Sequence, residues 1–129
     1  MIGIDTNIIV RLLTEDDEPQ FLKARHIFST EQIFIADTVL LETEWVLRFA
    51  YKFKPDEIRQ ALTKLLGLEN VHVNRPENLA EVLKLYGKGL DFADAMHLTA
   101  SSRYKVFLTF DKAFLRRTGG WTKWKVREP

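Results

Sequence analysis

Two kinds of hydrophobic pattern alternate along the chain. Short apolar runs predict strands, at residues 2–5, 33–36, 70–73, 106–110 and 121–126. Between them, apolar residues recur every three or four positions and predict helices, at residues 6–14, 19–28, 39–51, 55–67, 76–87, 92–103 and 112–117. Strands that alternate with helices are typical of a three-layer α/β domain with a mainly parallel central sheet. The sequence therefore predicts a single α/β domain over residues 1–129.

Proline, glycine and capping residues place several helix ends. Pro55 and Pro76 suit the first positions of the helices that they open. Gly67 suits the C-terminus of the helix that begins at Pro55. Asp37 or Thr38 is expected to cap the third helix, because a short oxygen-bearing side chain at this position can accept from the first backbone N–H groups.

The composition is that of an ordinary globular protein, with 46% hydrophobic and 29% charged residues in a chain of 129. The sequence has no cysteine, which excludes disulfides and thiolate metal sites and is compatible with a reducing compartment. It shows neither a signal-peptide pattern nor an apolar run long enough to cross a bilayer. A cytoplasmic protein with no membrane partner is therefore expected.

The formal net charge of +1 conceals an uneven distribution of charge. Residues 103–129 carry eight Lys and Arg against two acidic residues, a formal charge of +6, whereas residues 1–102 carry −5. A basic segment beside an acidic site suits a polyanionic substrate, but it is equally explained as a solvated basic surface. Trp121 and Trp124 lie among these lysines and could stack on bases, although aromatic residues on a terminal strand more often pack in a core or an interface.

Four acidic residues lie where a metal site would need them. Asp5 ends the first predicted strand and Asp111 ends the fourth, while Glu42 and Asp94 lie on predicted helices. In a parallel sheet, the carboxyl ends of the strands form the edge where ligands bind. Carboxylates that converge there repel one another unless a cation neutralises them, and hard oxygen donors select Mg²⁺ or Mn²⁺. The set of acids therefore indicates a divalent-metal site.

Helix capping is the competing interpretation for most of these acids. Asp5 and Asp111 each precede a helix and suit its N-cap. Asp91 and Asp94 are three residues apart at the start of a helix, where Asp91 suits the N-cap and Asp94 suits the first turn. Asp91 is also a candidate for an additional metal ligand. His97 is expected to be a packed polar residue of the core rather than a ligand.

Glu42 and Glu44 compete for the acidic position on the third helix. Four residues that lie three, four or seven positions from Glu42 are apolar, namely Val39, Trp45, Val46 and Phe49. Its carboxylate is therefore expected on or beside the buried face, where it needs a partner such as a cation. Glu44 has Arg48 four residues away, so a surface ion pair explains it. The other neighbours of Glu44 are apolar too, and Glu42 is the preferred candidate of the two.

Four segments together resemble the PIN domain. They are residues 2–7, 40–48, 90–97 and 108–114, with the sequences IGIDTN, LLETEWVLR, LDFADAMH and LTFDKAF. Within that family, the segments are most similar to the VapC-type toxins of bacterial type II toxin–antitoxin systems. The resemblance covers essentially the whole chain, and it implies a PIN-like three-layer α/β/α fold.

The resemblance also implies an activity and its partners. It implies a metal-dependent endoribonuclease that cleaves RNA, is inhibited by a cognate antitoxin protein and usually forms a homodimer. Thr6 matches the hydroxyl-bearing residue that follows the first Asp in the family. Carried over by position, the acids that would bind Mg²⁺ or Mn²⁺ are Asp5, Glu42, Asp94 and Asp111, with Asp91 as an extra acid.

Two other functions fit part of the pattern. A phosphatase of the haloacid-dehalogenase type also begins with a strand-end Asp, but it needs a second Asp two residues on, where this chain has Asn7. A non-catalytic nucleic-acid-binding module, whose acids are all helix caps, would bind RNA without a divalent ion. For a nuclease, the candidates for gripping phosphates are Arg11, Lys112, Arg116 and Arg117.

Overall fold

Parallel strand pairing organises both parts of the chain. The computed structural model describes residues 1–121 and 123–129. Contacts divide these residues into two units, Met1–Pro76 and Glu77–Pro129. Each unit holds its own strands, and every strand pair in the described residues is parallel. The single domain over residues 1–129 stays a prediction.

The first unit, which is described in full, is a three-stranded sheet with four helices. Its elements are β1 (Ile2–Gly3), α1 (Thr6–Thr14), α2 (Glu18–Thr30), β2 (Ile33–Phe34), α3 (Asp37–Phe49), α4 (Pro55–Leu66) and β3 (Val71–His72). The strand order is β1-β2-β3, with Ile33 opposite Ile2 on one side and Val71 on the other. A central β2 explains why Ile33 and Ile35 are buried.

The core of the first unit is aliphatic. Burying one such side chain contributes about 1.5–3 kcal/mol, so a cluster of this size offsets much of the entropy lost on folding. α1 packs against both α2 and α3. The buried side chains of the helices include Ile9, Val10, Leu40, Leu47, Ile58 and Leu62.

The second unit pairs two strands and carries the remaining helices. Its elements are α5 (Pro76–Gly87), α6 (Phe92–Ala100), β4 (Val106–Leu108), α7 (Lys112–Thr118) and β5 (Lys125–Arg127). β4 and β5 are parallel, with Val106 opposite Lys125. Aromatic contacts stabilise this unit, because the rings of Tyr86 and Phe92 meet edge to face with centroids 5.2 Å apart, and both side chains are buried.

The predicted elements are present, and the differences lie at their ends. α1 has the predicted bounds, whereas each strand is shorter than its apolar run because the ladders last only two or three residues. α6 ends at Ala100 rather than at residue 103. The last strand is Lys125–Arg127 rather than 121–126, and Thr122 of that prediction lies outside the described residues.

The cap predicted for α3 is wrong. Ala36 occupies the N-cap position, with an extended backbone and no side-chain hydrogen bond, and Asp37 is the first residue of the helix. An acid in the first turn is still favoured by the helix dipole, so Asp37 contributes without capping. Among the described residues, no helix is long and apolar enough to cross a bilayer.

Candidate active site

The first unit exposes Asp5 at the end of its first strand. Asp5 is the N-cap of α1, and its Oδ1 accepts from the backbone N–H of Asn7 at 3.1 Å. The capping role weighed from the sequence is therefore confirmed for this residue. Capping keeps the carboxylate at the start of α1, and the side chain remains exposed to solvent. A ligand role and a capping role are compatible at this position, because a carboxylate has about four lone-pair sites.

Thr6 connects α1 to α3 through a hydrogen bond between side chains. Its buried hydroxyl Oγ1 donates to Oε1 of Glu42. Because Asp5 caps α1, the hydroxyl of Thr6, which is the next residue, is available to donate to Glu42. The bond fixes the Glu42 carboxylate beside the start of α1, and therefore near Asp5. The sequence pattern did not predict this partner, because it joins residues 36 positions apart.

The burial predicted for the two glutamates is wrong in both cases. Glu42 is exposed, whereas Glu44 is only 1% exposed. Glu44 accepts from Arg48 at 2.7 Å (Nε) and 3.3 Å (Nη2), so the predicted ion pair exists but its acid is buried. The apolar neighbours of Glu42 include Trp45 and Phe49, which are themselves exposed. The preference for Glu42 as a ligand stays a prediction, and burial no longer supports it.

In the second unit, Asp94 lies close enough to Asp91 and Asp111 for their charges to affect it. Asp91 is the N-cap of α6, where its Oδ2 accepts from the N–H groups of Ala93 at 3.1 Å and Asp94 at 3.4 Å. Partial burial raises the pKa of Asp94 above its usual value, and the negative charges of Asp91 and Asp111 raise it further. A group in this situation is stabilised by any cation that binds beside it.

Asp111 also combines exposure with a capping role. It is the N-cap of α7, and its Oδ1 accepts from Ala113 N–H at 2.9 Å and Phe114 N–H at 3.1 Å. Its own N–H donates to the hydroxyl of Thr109 at 3.0 Å, which ties the end of the strand to the start of the helix. The capping alternative is therefore confirmed for Asp111 as well as for Asp5 and Asp91.

His97 is exposed, so the prediction that it packs in the core is wrong. It lies on α6 three residues after Asp94, and its charge lowers the pKa of Asp94, against the effect of the two aspartates. His97 therefore partly compensates the negative charge of the aspartates near Asp94. Nothing in this geometry makes the imidazole a metal ligand.

The donor chemistry of both units fits a hard divalent cation. The candidate ligands are all carboxylates, and the pKa of Asp94 is raised by partial burial and then by the negative charges of Asp91 and Asp111. Within residues 1–121 and 123–129, no three or more His, Cys, Asp or Glu side chains form a group that could hold an ion as they are placed. The assignment of ligands therefore stays a prediction.

The basic residues that are candidates for binding phosphates differ in their hydrogen bonds and ion pairs. Arg11 is held in a network inside the first unit, where Nη1 donates to Asp16 at 3.0 Å and to the Tyr51 hydroxyl at 3.0 Å. Lys112 pairs with Glu128 at 2.6 Å on the surface of the second unit. Arg116 and Arg117 are both exposed. The network of Arg11 stabilises the contact between α1 and the end of α3, which makes Arg11 a weaker candidate for gripping phosphates.

The family model of the PIN domain matches residues 2–120. No curated protein matches the chain. The match confirms the predicted α/β/α fold class with its parallel strands. PIN domains are typically metal-dependent nucleases that act on nucleic acid, so the match supports nuclease activity as the general class and nucleic acid as the partner. Because the matched residues make up nearly the whole chain, the protein belongs to the PIN domain family.

Proposed function

We propose that this protein is a divalent-metal-dependent endoribonuclease and the toxin of a type II toxin–antitoxin pair. The observation that carries the proposal is the hydrogen bond from the buried Thr6 hydroxyl to Glu42. It holds the exposed Glu42 of α3 beside Asp5, which caps the helix that follows the first strand. A purely structural role does not require this arrangement, because Asp5 alone already caps α1.

The proposed ligands of Mg²⁺ or Mn²⁺ are the carboxylates of Asp5, Glu42, Asp94 and Asp111, with Asp91 as an additional candidate. A divalent ion would supply a more acidic water as the nucleophile and would stabilise the charge on the leaving oxygen of the phosphodiester. The acids supply negative charge that favours binding of the ion, and the excess charge around Asp94 supports this assignment.

The protein's own residues would prepare the site for the reaction. Asp5 stays at the end of β1 because it caps α1, and Thr6 holds Glu42 in one orientation. Asp111 would orient the attacking water, since its carboxylate is fixed at the start of α7. Arg116 and Arg117 are exposed in the same unit as Asp111 and would bind the phosphate groups of the RNA.

Exposed apolar surface in the first unit supports a protein partner. Trp45 is 56% exposed and Phe49 is 47% exposed, and their rings contact each other on α3 with centroids 5.2 Å apart. Side chains of α1 and α4 also line a groove of about 460 Å³, whose apolar residues include Leu12, Leu13, Leu65 and Leu68. We propose that an amphipathic segment of the antitoxin packs on this unit, and that the protein forms a homodimer.

An antitoxin could also inhibit the site directly. An Arg side chain placed against the acids would displace the ion and block the substrate, because a guanidinium binds a carboxylate through two hydrogen bonds. Co-expressed antitoxin should then suppress cleavage and weaken Mn²⁺ binding together. An antitoxin that inhibits without changing Mn²⁺ affinity would exclude this mode of inhibition. We also propose that the reaction takes place in the cytoplasm, where the proposed RNA substrate and antitoxin would be present.

The decisive test compares two aspartates that each cap the N-terminus of a helix. Single-stranded RNA and DNA of one sequence are incubated with the protein and Mn²⁺, with and without EDTA. RNA cleavage that EDTA abolishes is expected. Asp5→Asn should lose cleavage and keep its fold, because Asn is as good an N-cap as Asp. Asp17→Asn removes the corresponding charge from the N-cap of α2 and should leave cleavage unchanged.

Three outcomes would contradict the proposal. Equal cleavage by the two variants would show that the charge of Asp5 is not required. RNA binding without cleavage, insensitive to EDTA, would favour the non-catalytic module, for which the capping roles of Asp5, Asp91 and Asp111 are sufficient. Hydrolysis of a phosphate monoester in place of RNA would favour a phosphatase.

A further inference from the structure

The second unit contains a cavity that none of the proposed metal ligands lines. Its volume is about 280 Å³, and it lies between α5 and the segment that leads into β5. The side chains that give it its chemistry are Glu81, Lys84, Lys88, Trp121, Lys123 and Trp124. Sites for small organic ligands usually measure about 300–1,000 Å³, so this cavity suits a single small group rather than an extended ligand.

The cavity carries an excess of positive charge. Three lysines line it against one glutamate, and Lys123 is already paired with Glu81 at 3.4 Å. Lys84 lies in the last turn of α5 and Lys88 directly follows the helix, so their like charges repel each other beside the cavity. The helix dipole favours cations there, but it does not explain the third lysine or the indoles beside them. An anion would relieve the repulsion.

The two tryptophans have different roles in the cavity. Trp124 is 3% exposed and therefore belongs to the core of the unit, beneath the ammonium group of Lys123 at 4.8 Å from its ring centroid. Trp121 is only half-buried, and the ammonium group of Lys88 lies 5.6 Å from its ring centroid. Of the two indoles, Trp121 is thus the one that a flat ligand can reach.

A nucleobase would compete well for the face of Trp121. At an exposed site, an ammonium group over an indole contributes about two- to fivefold to an equilibrium. Stacking of a base on an aromatic side chain contributes about five- to 150-fold. A base would therefore displace Lys88 from the ring, and the released ammonium group would be available for a phosphate on the same strand.

We propose that this cavity binds one nucleotide of single-stranded RNA, with the base against Trp121 and a phosphate held by Lys84 and Lys88. The identity of the polymer rests on the proposed function, whereas the recognition of a base and a phosphate rests on the cavity alone. Such a site adds affinity for the strand without taking part in the chemistry. Its loss should raise KM for RNA and leave kcat nearly unchanged.

The test measures binding in EDTA, where no cleavage occurs. The probes are a fluorescently labelled oligoadenylate RNA and an abasic oligonucleotide of equal length and charge, and the readout is anisotropy. Trp121→Ala should weaken RNA binding about five- to 150-fold, with little effect on the abasic probe. Trp121→Phe should restore most of the affinity, because a phenyl ring still stacks.

The lysines are tested through the salt dependence of binding. Lys84→Gln with Lys88→Gln should weaken both probes and lower the slope of log affinity against log salt by about 0.7 for each phosphate that is no longer neutralised. The matched control is Lys23→Gln with Lys52→Gln, which removes the same charge from exposed lysines of the first unit and should leave binding unchanged. All four substituted lysines are exposed, so the variants should fold.

The outcomes separate this site from the nuclease itself. RNA affinity that changes less than about twofold in both Trp121→Ala and the lysine pair, below the range expected for stacking, would overturn the site. An oligoglutamate peptide that binds as tightly as RNA, with the same sensitivity to Trp121→Ala, would assign the cavity to an acidic peptide instead. Binding as expected without Mn²⁺-dependent cleavage would refute the nuclease and leave the site. Cleavage with no effect of these variants on KM would refute the site alone.

Discussion

The acids within α3 of the first unit and within α6 of the second unit are held in opposite ways. In the first unit, Glu42 accepts from the Thr6 hydroxyl and Glu44 is paired with Arg48, so hydrogen-bond donors fix each carboxylate. In the second unit, partial burial raises the pKa of Asp94, and the charges of Asp91 and Asp111 raise it further. Hydrogen bonds fix the positions of the two glutamates of α3, whereas Asp94 lies near like charges that repel it. The difference teaches that an added cation should matter more to the stability of the second unit than to that of the first.

The largest expected effect separates the two glutamates of α3. Glu42→Gln should lower RNA cleavage by about 100-fold or more, the loss expected when one charge-stabilising group leaves an active site. Its stability should change little, because an amide oxygen still accepts from Thr6. Glu44→Gln should instead destabilise the fold by about 1–3 kcal/mol, since it removes the charge partner of Arg48 from a buried position. Cleavage assays and urea unfolding measure the two effects.

The loss expected for Glu44→Gln lies below the usual cost of breaking a buried ion pair, about 3–5 kcal/mol, because the Arg48 side chain is 31% exposed and keeps some of its hydration. If Glu44→Gln lost cleavage and Glu42→Gln lost stability instead, Glu42 would not belong to the site. Two unstable variants of equal activity would make both glutamates structural.

These glutamates also show where sequence reasoning stops. The apolar neighbours of Glu42 correctly indicated an apolar side of α3, but periodicity does not tell which apolar side packs against the core. The helix buries the side with Leu40 and Leu47 and exposes Trp45. The sequence therefore predicted the helix and the Glu44–Arg48 pair, and it exchanged the burial of the two acids.

Local features were predicted well because they depend on few residues. The capping roles of Asp5, Asp91 and Asp111 follow from an acid that precedes an apolar helical pattern, and the structure has all three. The partner of Thr6 is 36 positions away, so no local pattern could reveal it. The repulsion at Asp94 was expected from the set of acids, because Asp91 is only three residues away and Asp111 ends a predicted strand. The lengths of the strands were overestimated because an apolar run continues beyond the last ladder bond.

Gly89 offers a way to disturb the acids of the second unit without changing a carboxylate. Its φ of +98° is a conformation that side-chain-bearing residues rarely adopt, and it lies two residues before Asp91. Gly89→Ala should destabilise the protein by about 1–3 kcal/mol and reduce the stabilisation by Mn²⁺. The added Cβ would also lie 2.6 Å from the Arg117 guanidinium, but that flexible side chain can move, so the backbone dominates.

The control for this glycine lies in the first unit. Gly3 has no heavy atom within 4 Å of an added Cβ, so Gly3→Ala should change stability by less than about 0.5 kcal/mol. Thermal unfolding with and without Mn²⁺ measures both variants. Equal destabilisation by the two substitutions would show that the conformation at Gly89 is not the cause.

Thr6→Val tests whether cleavage depends on the hydrogen bond that holds the Glu42 carboxylate in place. The substitution keeps the shape of the side chain and removes the hydroxyl that donates to Glu42, so cleavage should fall about 10–100-fold, as when a residue that orients a ligand is removed. Thr6→Ser should restore activity. Thr43→Val is the matched control, because the buried Thr43 hydroxyl donates to a carbonyl of its own helix. Loss of cleavage in Thr43→Val alone would contradict the role of Thr6.

The smallest expected effect concerns Asp94 in the absence of metal. Because its pKa is raised in the folded state, the folded protein binds the proton more tightly than the unfolded chain does. Stability relative to Asp94→Asn should therefore fall as the pH rises from 3.8, the ordinary pKa of the group, through the raised pKa, and stay lower above it. At neutral pH, Asp94→Asn should stabilise the metal-free protein by about 0.5 kcal/mol, a value kept small by solvent screening.

Asp56 provides the opposite sign for comparison with Asp94. Hydrogen bonding to Arg59 lowers the pKa of Asp56, so Asp56→Asn should destabilise the protein at neutral pH, and the difference should disappear as the pH falls from 3.8 through the lowered pKa. The stabilisation by Mn²⁺ should shrink in Asp94→Asn and stay unchanged in Asp56→Asn. Unfolding curves recorded across the acid range, with and without Mn²⁺, measure both differences. A metal-free Asp94→Asn variant that is less stable than the wild type would mean that the first-turn helix dipole outweighs the repulsion, and the contrast between the two units would then disappear.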